Sequence, residues 1–284
     1  MTRPLYVSDS PDAPSPAAFM SKAPKPFNGN TPWAQVYALD LRRIVVDYAA
    51  HAPRSLQKAL GPSEIGTPCD RQVVGKLADI EPTNHIVDPW PSIVGTALHT
   101  WFAGAFSWDN ERSGYFRWLC EFRVHPHPDH PGTGDLYDFY QTAVVDHKNL
   151  GDTPMAYLRN VGMPIRYLIQ LLAYARGFRL MGLPVIRVVL VAWPRTKSSL
   201  DTTYVYEIPL TPEHDTMLDA AFERMRVRKV FAELVRQGVL TLNDIVPTPS
   251  DEECYHCPFY RADVLTDPTA TGCAGHHLIP GRMK

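Results

Sequence analysis

Apolar residues recur along the chain with two different spacings, which separate helical from extended segments. Spacings of three and four residues predict long helices at 33–51, 92–106, 163–181 and 211–237. Short apolar runs between turn residues predict five strands at 116–124, 133–139, 142–148, 185–193 and 203–208. A turn-rich stretch at 61–71 leads into a further short helix that carries Cys69. This order of elements predicts an α/β or α+β fold, with a central mixed sheet flanked by helices.

Three parts of the chain differ in composition. Residues 1–32 contain frequent proline and no periodic apolar pattern, which predicts a disordered tail. Residues 33–245 hold the periodic segments, so we expect them to form the main domain. Residues 246–284 are rich in proline, cysteine and histidine, and they form a C-terminal cysteine segment.

The charge balance limits how this chain binds nucleic acid. Its 284 residues include 28 Lys and Arg against 30 Asp and Glu, a formal net charge of -2. This balance excludes a protein that binds nucleic acid through bulk positive charge, so any such site is a local patch. The densest basic run, formed by Arg224, Arg226, Arg228 and Lys229, either binds phosphates or forms a solvated helix face.

The apolar runs are too short to cross a membrane. None approaches the roughly 20 residues that a bilayer requires, and the N-terminus lacks an apolar signal core. We therefore expect a cytoplasmic protein with no membrane partner. Because thiols stay reduced in that compartment, the five cysteines are interpreted first as metal ligands, catalytic groups or buried small side chains.

Two predicted strands form a hairpin that carries a pair of acidic residues. A turn centred on residues 140 and 141 places Asp135 opposite Asp146, and cross-strand neighbours have Cβ atoms about 5 Å apart. Two carboxylates at that distance can share one divalent ion, whereas without a cation they would repel. Lys148 projects from the same face, where its ammonium can orient or help to deprotonate a metal-bound water. The alternative is a solvated hairpin face with an incidental ion pair.

These residues resemble the core motif of the PD-(D/E)xK nuclease superfamily, an acid on one strand followed by (Asp/Glu)-x-Lys on the next. The surrounding motifs are similar to its RecB-like branch, which includes the iron–sulfur CRISPR-associated exonucleases and the AddB-type nuclease domains. Four motifs of that branch occur in order: Gly95-x-x-x-His99, Gly132-Thr133-Gly134-Asp135, Asp146-His147-Lys148 and Gln170-Leu171-Leu172-Ala173-Tyr174. The resemblance covers residues 69–273, and it implies a restriction-endonuclease-like core that hydrolyses DNA.

The resemblance also implies roles for individual residues. The metal ligands would be His99, Asp135, Asp146 and the backbone carbonyl of His147. Lys148 would act on the attacking water. Glu121 falls where the family often has an acid on the first strand, although it could be a strand acid that faces solvent. Magnesium or manganese suits such an oxygen-rich site.

Three polar side chains share one face of the helix predicted at 163–181. Arg166, Gln170 and Tyr174 follow one another at intervals of four residues. An arginine, an amide and an aromatic ring in a row suit a sugar-phosphate backbone and an unstacked base. The alternative is a core tyrosine whose hydroxyl is hydrogen-bonded to Gln170.

The cysteines suggest a second metal centre. Cys254 and Cys257 form a Cys-x-x-Cys pair, Cys273 follows, and Cys69 is the natural distant fourth ligand of a four-iron cluster or a structural zinc. One upstream cysteine and three near the C-terminus is also the layout of the iron–sulfur nucleases that the chain resembles. The gap between Cys257 and Cys273 is longer than in that family. This gap leaves room for a three-cysteine zinc site completed by His276.

The fifth cysteine has no partner in this pattern. Cys120, near the first strand, is interpreted as a small core residue. The leading hypothesis is a metal-dependent DNA exonuclease that acts on single-stranded ends and carries a 4Fe-4S cluster. The alternatives are a non-catalytic nucleic-acid-binding subunit of a recombination or CRISPR-like complex, with structural zinc, and a structural zinc-binding protein.

Overall fold

A computed structural model describes residues 31–51, 60–84, 88–249, 254–267 and 269–278. The chain forms two compact units, Met1–His51 and Ala52–Lys284. In the first unit, the described part is helix α1 (Pro32–His51), which confirms the first predicted helix. Nearly all of the predicted disordered tail lies outside the described residues.

Among its described residues, the second unit contains six α-helices and five strands. Its first half comprises α2 (Pro62–Ile65), α3 (Asp70–Leu77), α4 (Trp90–Ser113), β1 (Trp118–Val124), β2 (Gly132–Asp138) and β3 (Ala143–Leu150). Its second half comprises α5 (Asp152–Asn160), α6 (Ile165–Leu180), β4 (Arg187–Pro194), β5 (Tyr204–Pro209) and α7 (Pro212–Arg236). Short 3₁₀ turns occupy Leu200–Thr202, Leu242–Asp244, Ala262–Leu265 and Gly275–Leu278.

The five strands form one mixed sheet in the order β1-β2-β3-β4-β5. Strands β3 and β4 are parallel, and the other neighbours are antiparallel. Parallel neighbours need a crossover connection, which here contains α5 and α6. The predicted α+β class, with a mixed sheet flanked by helices, is therefore confirmed. Helix α5 was not predicted, because only Met155 and Leu158 of its nine residues are buried and so short a segment shows no apolar repeat.

Helix α6 is buried on two sides. Toward the sheet, Leu171 and Phe178 pack in a cluster with Val144, Val188 and Leu190 of the strands. Burying each such side chain contributes about 1.5–3 kcal/mol. On its other side, α6 packs against a second cluster, formed by Ile65, Val73, Leu218 and Met225. These two layers hold the helix against the strands that carry the candidate site.

The approach of α6 to β1 depends on a glycine. A Cβ atom added at Gly177 would lie 2.6 Å from the Cβ of Val124, which is closer than packed side chains allow. The absence of a side chain therefore lets the helix backbone lie directly on the strand.

The C-terminal cysteine segment belongs to the second unit. Tyr260 and Cys273 form a parallel bridge within it. The Asn84 side-chain amide donates to the carbonyl oxygens of Tyr255 and Cys257, at 3.1 and 2.8 Å. These bonds join the segment to the chain that follows α3. In the part of the chain described here, no helix is both long and apolar enough to span a bilayer.

Candidate active site

Strand β1 changes its alternation of faces at Glu121. Leu119 and Phe122 pack against the same core cluster, although residues three apart in a regular strand point to opposite faces. The shift occurs at Glu121, whose φ of 46° lies in the left-handed region. Non-glycine residues rarely adopt this conformation, and they do so most often at functional positions. The side chain of Glu121 therefore does not follow the regular alternation of the strand.

Strand β2 shows the same shift at Asp135. Tyr137 lies against Phe178 with ring centroids 5.2 Å apart, and a Cβ at Gly134 would lie 2.9 Å from the Phe178 ring. Residues 134 and 137 thus face the same helix, although regular alternation would separate them. In the β1–β2 ladder, the residues on both sides of Glu121 and Asp135 are paired, but these two acids are not. The two acids therefore leave the ladder at the same level.

Both acids lie beside His99 of α4. The His99 Nδ1 atom is 3.4 Å from Glu121 Oε1 and 3.4 Å from Asp135 Oδ1. Burial alone would lower the pKa of His99, but the hydrogen bonds that its ring donates to Asp135 and Glu121 outweigh burial and raise the pKa to about 10. In the absence of another cation, the protonated imidazole therefore balances the two carboxylates.

The hairpin pairs in the predicted register but opens before it reaches the two aspartates. Its ladder ends at Leu136 and Val145. The predicted cross-strand pairing of Asp135 with Asp146 is replaced by a side-chain bond, in which the His147 backbone N–H donates to Asp135 Oδ2 at 2.7 Å. The change in alternation at Asp135 accounts for this difference, because it directs the carboxylate to the neighbouring strand rather than straight out of the sheet.

Asp146 and Lys148 form a buried ion pair on β3. Asp146 is fully buried, and Lys148 Nζ lies 2.5 Å from its Oδ2 atom. Burial raises the pKa of Asp146 to about 6, with a further contribution from the nearby Asp135. Burial acts to lower the pKa of Lys148, but Asp146 and Asp135 outweigh it and the net shift is upward. Lys148 is therefore an ammonium at neutral pH.

Neither carboxylate oxygen of Asp146 has a hydrogen bond of good geometry to the described residues. A buried carboxylate normally has such partners, because removing it from water is costly. The Lys148 ammonium balances the charge of Asp146, and the carboxylate oxygens retain acceptor positions that a metal ion could use.

The side chain of His147 points away from that ion pair into an aromatic enclosure. Its ring is stacked on Phe106, with centroids 5.5 Å apart, and also contacts Phe102. The Trp193 Nε1–H donates to its Nδ1 atom at 3.2 Å. Burial lowers the pKa of His147 to about 4, so the ring is neutral. The enclosure thus anchors the β3 backbone where the His147 N–H bonds Asp135.

Three side chains in this region are close enough together to bind one metal ion. Ligand atoms of His99, Glu121 and Asp135 all lie within 4.8 Å of one another. Asp146, which was expected in this set, lies outside the group and contacts Lys148 instead. Glu121, which was left open as a solvent-facing acid, is one of the three. Carboxylates with one imidazole suit Mn²⁺ and Mg²⁺, so the residues fit such an ion.

These groups lie in an open groove of about 1440 Å³. Arg166, Gln170 and Tyr174 line the same groove. Tyr174 is only 5% exposed, and the Gln170 Nε2 atom donates to its hydroxyl at 3.1 Å. The Gln170 Oε1 atom in turn accepts a hydrogen bond from Lys148 at 3.3 Å. This arrangement matches the second interpretation of Tyr174, a core residue bonded to Gln170.

The basic run on α7 is neutralised by acids. Arg224 and Arg228 both pair with Asp70, at 2.8 and 2.7 Å, and Arg228 is only 1% exposed. Arg226 pairs with a glutamate of its own helix, and Lys229 pairs with Asp129. The run therefore stabilises α7 against α3 and its neighbours, and it offers no concentrated positive charge to phosphates.

The cysteines predicted to act together line one small pocket, namely Cys69, Cys254, Cys257 and Cys273. Burial, followed by the neighbouring cysteines, raises the pKa of Cys257 to about 12. Among the described residues, no three cysteine or histidine ligand atoms here lie within 4.8 Å of one another.

Nitrogen donors approach two of the sulfur atoms in this pocket. The Thr248 N–H lies 3.4 Å from Cys69 Sγ, and the Gly275 N–H lies 3.4 Å from Cys273 Sγ. Arg71 also donates to Cys273 Sγ, at 3.5 Å. His276 is outside the pocket lining, and its Nε2 atom lies 3.4 Å from the Tyr260 hydroxyl. Cys120 also lies apart from the pocket, near Ser107.

Sequence reasoning did not single out two groups of residues. The aromatic enclosure had a signal in Phe102 and Phe106, which lie four residues apart on the helix that carries His99. Arg123 and Thr133 also line the groove. Each lies two residues from a candidate acid, which is the spacing that places neighbours on one face of a strand.

Comparisons with solved structures find a distant structural likeness. The chain is similar to a phage-related exonuclease from Haemophilus somnus 129PT, with a TM-score of 0.43 and 12% sequence identity over 60% of this chain and 83% of that one. No protein-family model matches the chain. No curated protein matches it either.

Proposed function

We propose that this protein is a metal-dependent DNA nuclease of the PD-(D/E)xK type, similar to the RecB-like branch. The observation that carries the proposal is the convergence of His99, Glu121 and Asp135, with the Asp146–Lys148 pair beside them. Two of these acids occupy positions at which their strands leave the regular ladder. A hairpin face with an incidental ion pair would give no reason for three separate elements to converge there.

The proposed metal ligands are His99, Glu121 and Asp135, with Asp146 and the His147 carbonyl as further oxygen donors. A divalent cation bound there would act as a Lewis acid toward a phosphodiester and lower the pKa of a water. The protein supplies the fixed part of this arrangement. The His147 backbone N–H holds Asp135, and the aromatic enclosure holds His147.

Lys148 acts as a charged donor in this proposal. In the metal-free site, Asp146 and Asp135 outweigh burial and raise the pKa of Lys148, so its side chain carries a proton there. Its ammonium can orient the attacking water and stabilise the negative charge that develops on the phosphate. Gln170 and Tyr174 form a hydrogen-bonded chain that fixes its position.

We infer that the substrate is DNA and that the protein acts as an exonuclease on single-stranded ends. The central acids are deeply buried, since Asp135 is 6% exposed and Asp146 is fully buried. A single strand bends to the floor of a groove more easily than a duplex, whose backbones are held apart by base pairs. Arg166 lines the wall and supplies a phosphate contact.

We also propose that Cys69, Cys254, Cys257 and Cys273 bind a 4Fe-4S cluster. Their convergence from distant parts of the chain supports a shared ligand. Hydrogen bonds to the sulfurs, such as those from Thr248 and Gly275, are a common feature of cluster sites.

A cleavage assay with 5′- and 3′-labelled single- and double-stranded DNA, and with RNA of the same sequence, tests the activity. With Mn²⁺ or Mg²⁺, we expect stepwise shortening of single-stranded DNA, and we expect Lys148→Ala to remove it. Asp201→Asn, which changes an exposed aspartate outside the groove, is the control and should cleave at the parent rate. If Lys148→Ala also cleaves at the parent rate, the site is assigned wrongly.

A further inference from the structure

Two residues that have no part in the proposed metal site, Arg123 and Thr133, lie side by side in the groove. Arg123 of β1 and Thr133 of β2 are direct partners in the antiparallel ladder, and both line the groove. Directly paired residues project from the same face, with Cβ atoms about 5 Å apart. A guanidinium and a hydroxyl at that distance can bind one phosphate together.

Arg123 differs from the other cations of the groove. Lys76 is paired with Glu64 at 2.6 Å, and Lys148 is paired with Asp146. Arg236 is bonded to Glu233, and the Arg166 guanidinium lies over the Tyr167 ring, 5.4 Å from its centroid. Arg123 is exposed, and among the residues described its side chain makes no hydrogen bond or ion pair. Its charge is therefore available to a ligand.

The position of this pair relative to the candidate metal ligands is set by the two strands. Arg123 lies two residues beyond Glu121, and Thr133 lies two residues before Asp135. Because β1 and β2 are antiparallel, both steps run in the same direction along the sheet. Two residues of strand span about 7 Å. A phosphate held by Arg123 and Thr133 is thus a different one from the phosphate at His99, Glu121 and Asp135.

We propose that Arg123 and Thr133 form a subsite for a second, non-scissile phosphate of the nucleic-acid substrate. This inference rests on the proposed function for its substrate class. A bound phosphate there fixes the register of the strand over the metal ligands. The ligand is either an internal phosphodiester or a terminal phosphate, since both present the same oxygens to a guanidinium.

Binding measured without cleavage separates this subsite from the nuclease activity. Fluorescence anisotropy of a labelled single-stranded oligonucleotide, in buffer without divalent cations, gives the dissociation constant at a series of salt concentrations. Each phosphate contact on a single strand adds about 0.7 to the slope of log affinity against log salt. We expect Arg123→Gln to weaken binding at low salt and to reduce the slope by about that amount. Arg123→Lys should restore most of the slope.

Two variants serve as comparisons. Arg226→Gln removes an exposed arginine that lies outside the groove and pairs with Glu223, so it should bind as the parent does. Thr133→Val keeps the side-chain shape and removes a neutral donor. It should weaken binding severalfold and leave the salt slope unchanged.

The source of the phosphate is identified with modified oligonucleotides. A single neutral methylphosphonate linkage, moved along the strand, should weaken the parent at one position and have no added effect there in Arg123→Gln. If the same loss follows only from removing a terminal phosphate, the subsite holds the strand end. If Arg123→Gln has the parent affinity and slope, Arg123 is a solvated surface arginine and the subsite is refuted, whether or not the parent cleaves DNA. A reduced slope in Arg123→Gln, together with a parent protein that cleaves nothing, would support the subsite and refute the nuclease.

Discussion

The His147 backbone N–H donates to Asp135 Oδ2 at 2.7 Å, and this bond occupies the place where the β2–β3 ladder has stopped. A carboxylate thus replaces a main-chain carbonyl as the acceptor of a strand N–H. The bond turns one oxygen of Asp135 toward β3, while the other lies 3.4 Å from His99. A single aspartate thereby ties β3 to the helix that carries His99.

Metal affinity should rise steeply with pH. The pKa of His99 is about 10 without a metal, so the imidazole carries a proton at neutral pH that an incoming cation must displace. One proton should be released for each Mn²⁺ bound, and affinity should rise about tenfold for each pH unit between 7 and 9. Calorimetric titration in buffers of different ionisation enthalpy measures both quantities. Affinity that does not change over this range would exclude His99 as a ligand.

His147 should make the metal-free protein sensitive to mild acid. Its pKa falls to about 4 on folding, so the stability it contributes is complete above the unfolded value of about 6.5 and is lost as pH falls toward 4. The loss amounts to at most about 3 kcal/mol, at about 1.4 kcal/mol per pKa unit. Urea unfolding at pH 8, 6.5 and 5 should show this loss in the parent and not in His147→Gln. Parallel pH curves for the two proteins would contradict the neutral, buried ring.

The hydroxyl of Tyr174 should affect the cleavage rate, and the face of its ring should not be needed for DNA binding. Tyr174→Phe keeps a surface on which a base could stack but removes the bond to Gln170, and with it the support for Lys148. We expect slower cleavage, unchanged single-strand affinity, and a loss of about 1 kcal/mol in the free energy of unfolding. Parent-like cleavage by Tyr174→Phe, together with weak DNA binding by Tyr174→Ala, would instead favour stacking.

The sequence allowed the main elements of the fold to be predicted, and it singled out His99, Glu121 and Asp135, which the structure places together. Helical spacing and apolar runs located every strand and the long helices, because burial on one face leaves a repeat in the chain. The sequence did not show that Glu121 and Asp135 would both lie beside His99. Regular alternation would place Glu121 and Asp135 on strand faces set by their neighbours. The backbone at Glu121, with φ of 46°, and the change in alternation at Asp135 bring the two acids beside His99. Likewise, the basic run on α7 showed four cations, but its acids Asp70 and Asp129 come from distant segments.

The packing of the cysteine segment against α3 should depend on the absence of a side chain at Gly75. A Cβ atom at this position of α3 would lie 2.5 Å from the ring of Phe259, two residues after Cys257. Gly75→Ala should therefore displace Phe259, cost about 1–3 kcal/mol of stability and reduce the cluster content of anaerobically purified protein. Visible absorption per mole of protein measures that content.

Gly104→Ala is the matched control, because it is also a helical glycine and its Cβ would meet no atom within 4 Å. It should keep the cluster and gain up to about 1 kcal/mol from helix propensity. Equal cluster content in the two alanine variants would contradict the role given to the contact with Phe259.

The central claim is that His99, Glu121 and Asp135 hold the ion that cleavage requires. The rate of single-stranded DNA cleavage as a function of Mn²⁺ concentration tests it most directly, in the parent and in Asp135→Asn, which keeps the side-chain shape and the acceptor for the His147 N–H. The parent should be inactive without added metal and should saturate with Mn²⁺. Asp135→Asn should remain inactive, or require Mn²⁺ concentrations at least a hundredfold higher. Cleavage by the parent without any divalent ion, or an unchanged Mn²⁺ dependence in Asp135→Asn, would contradict the account.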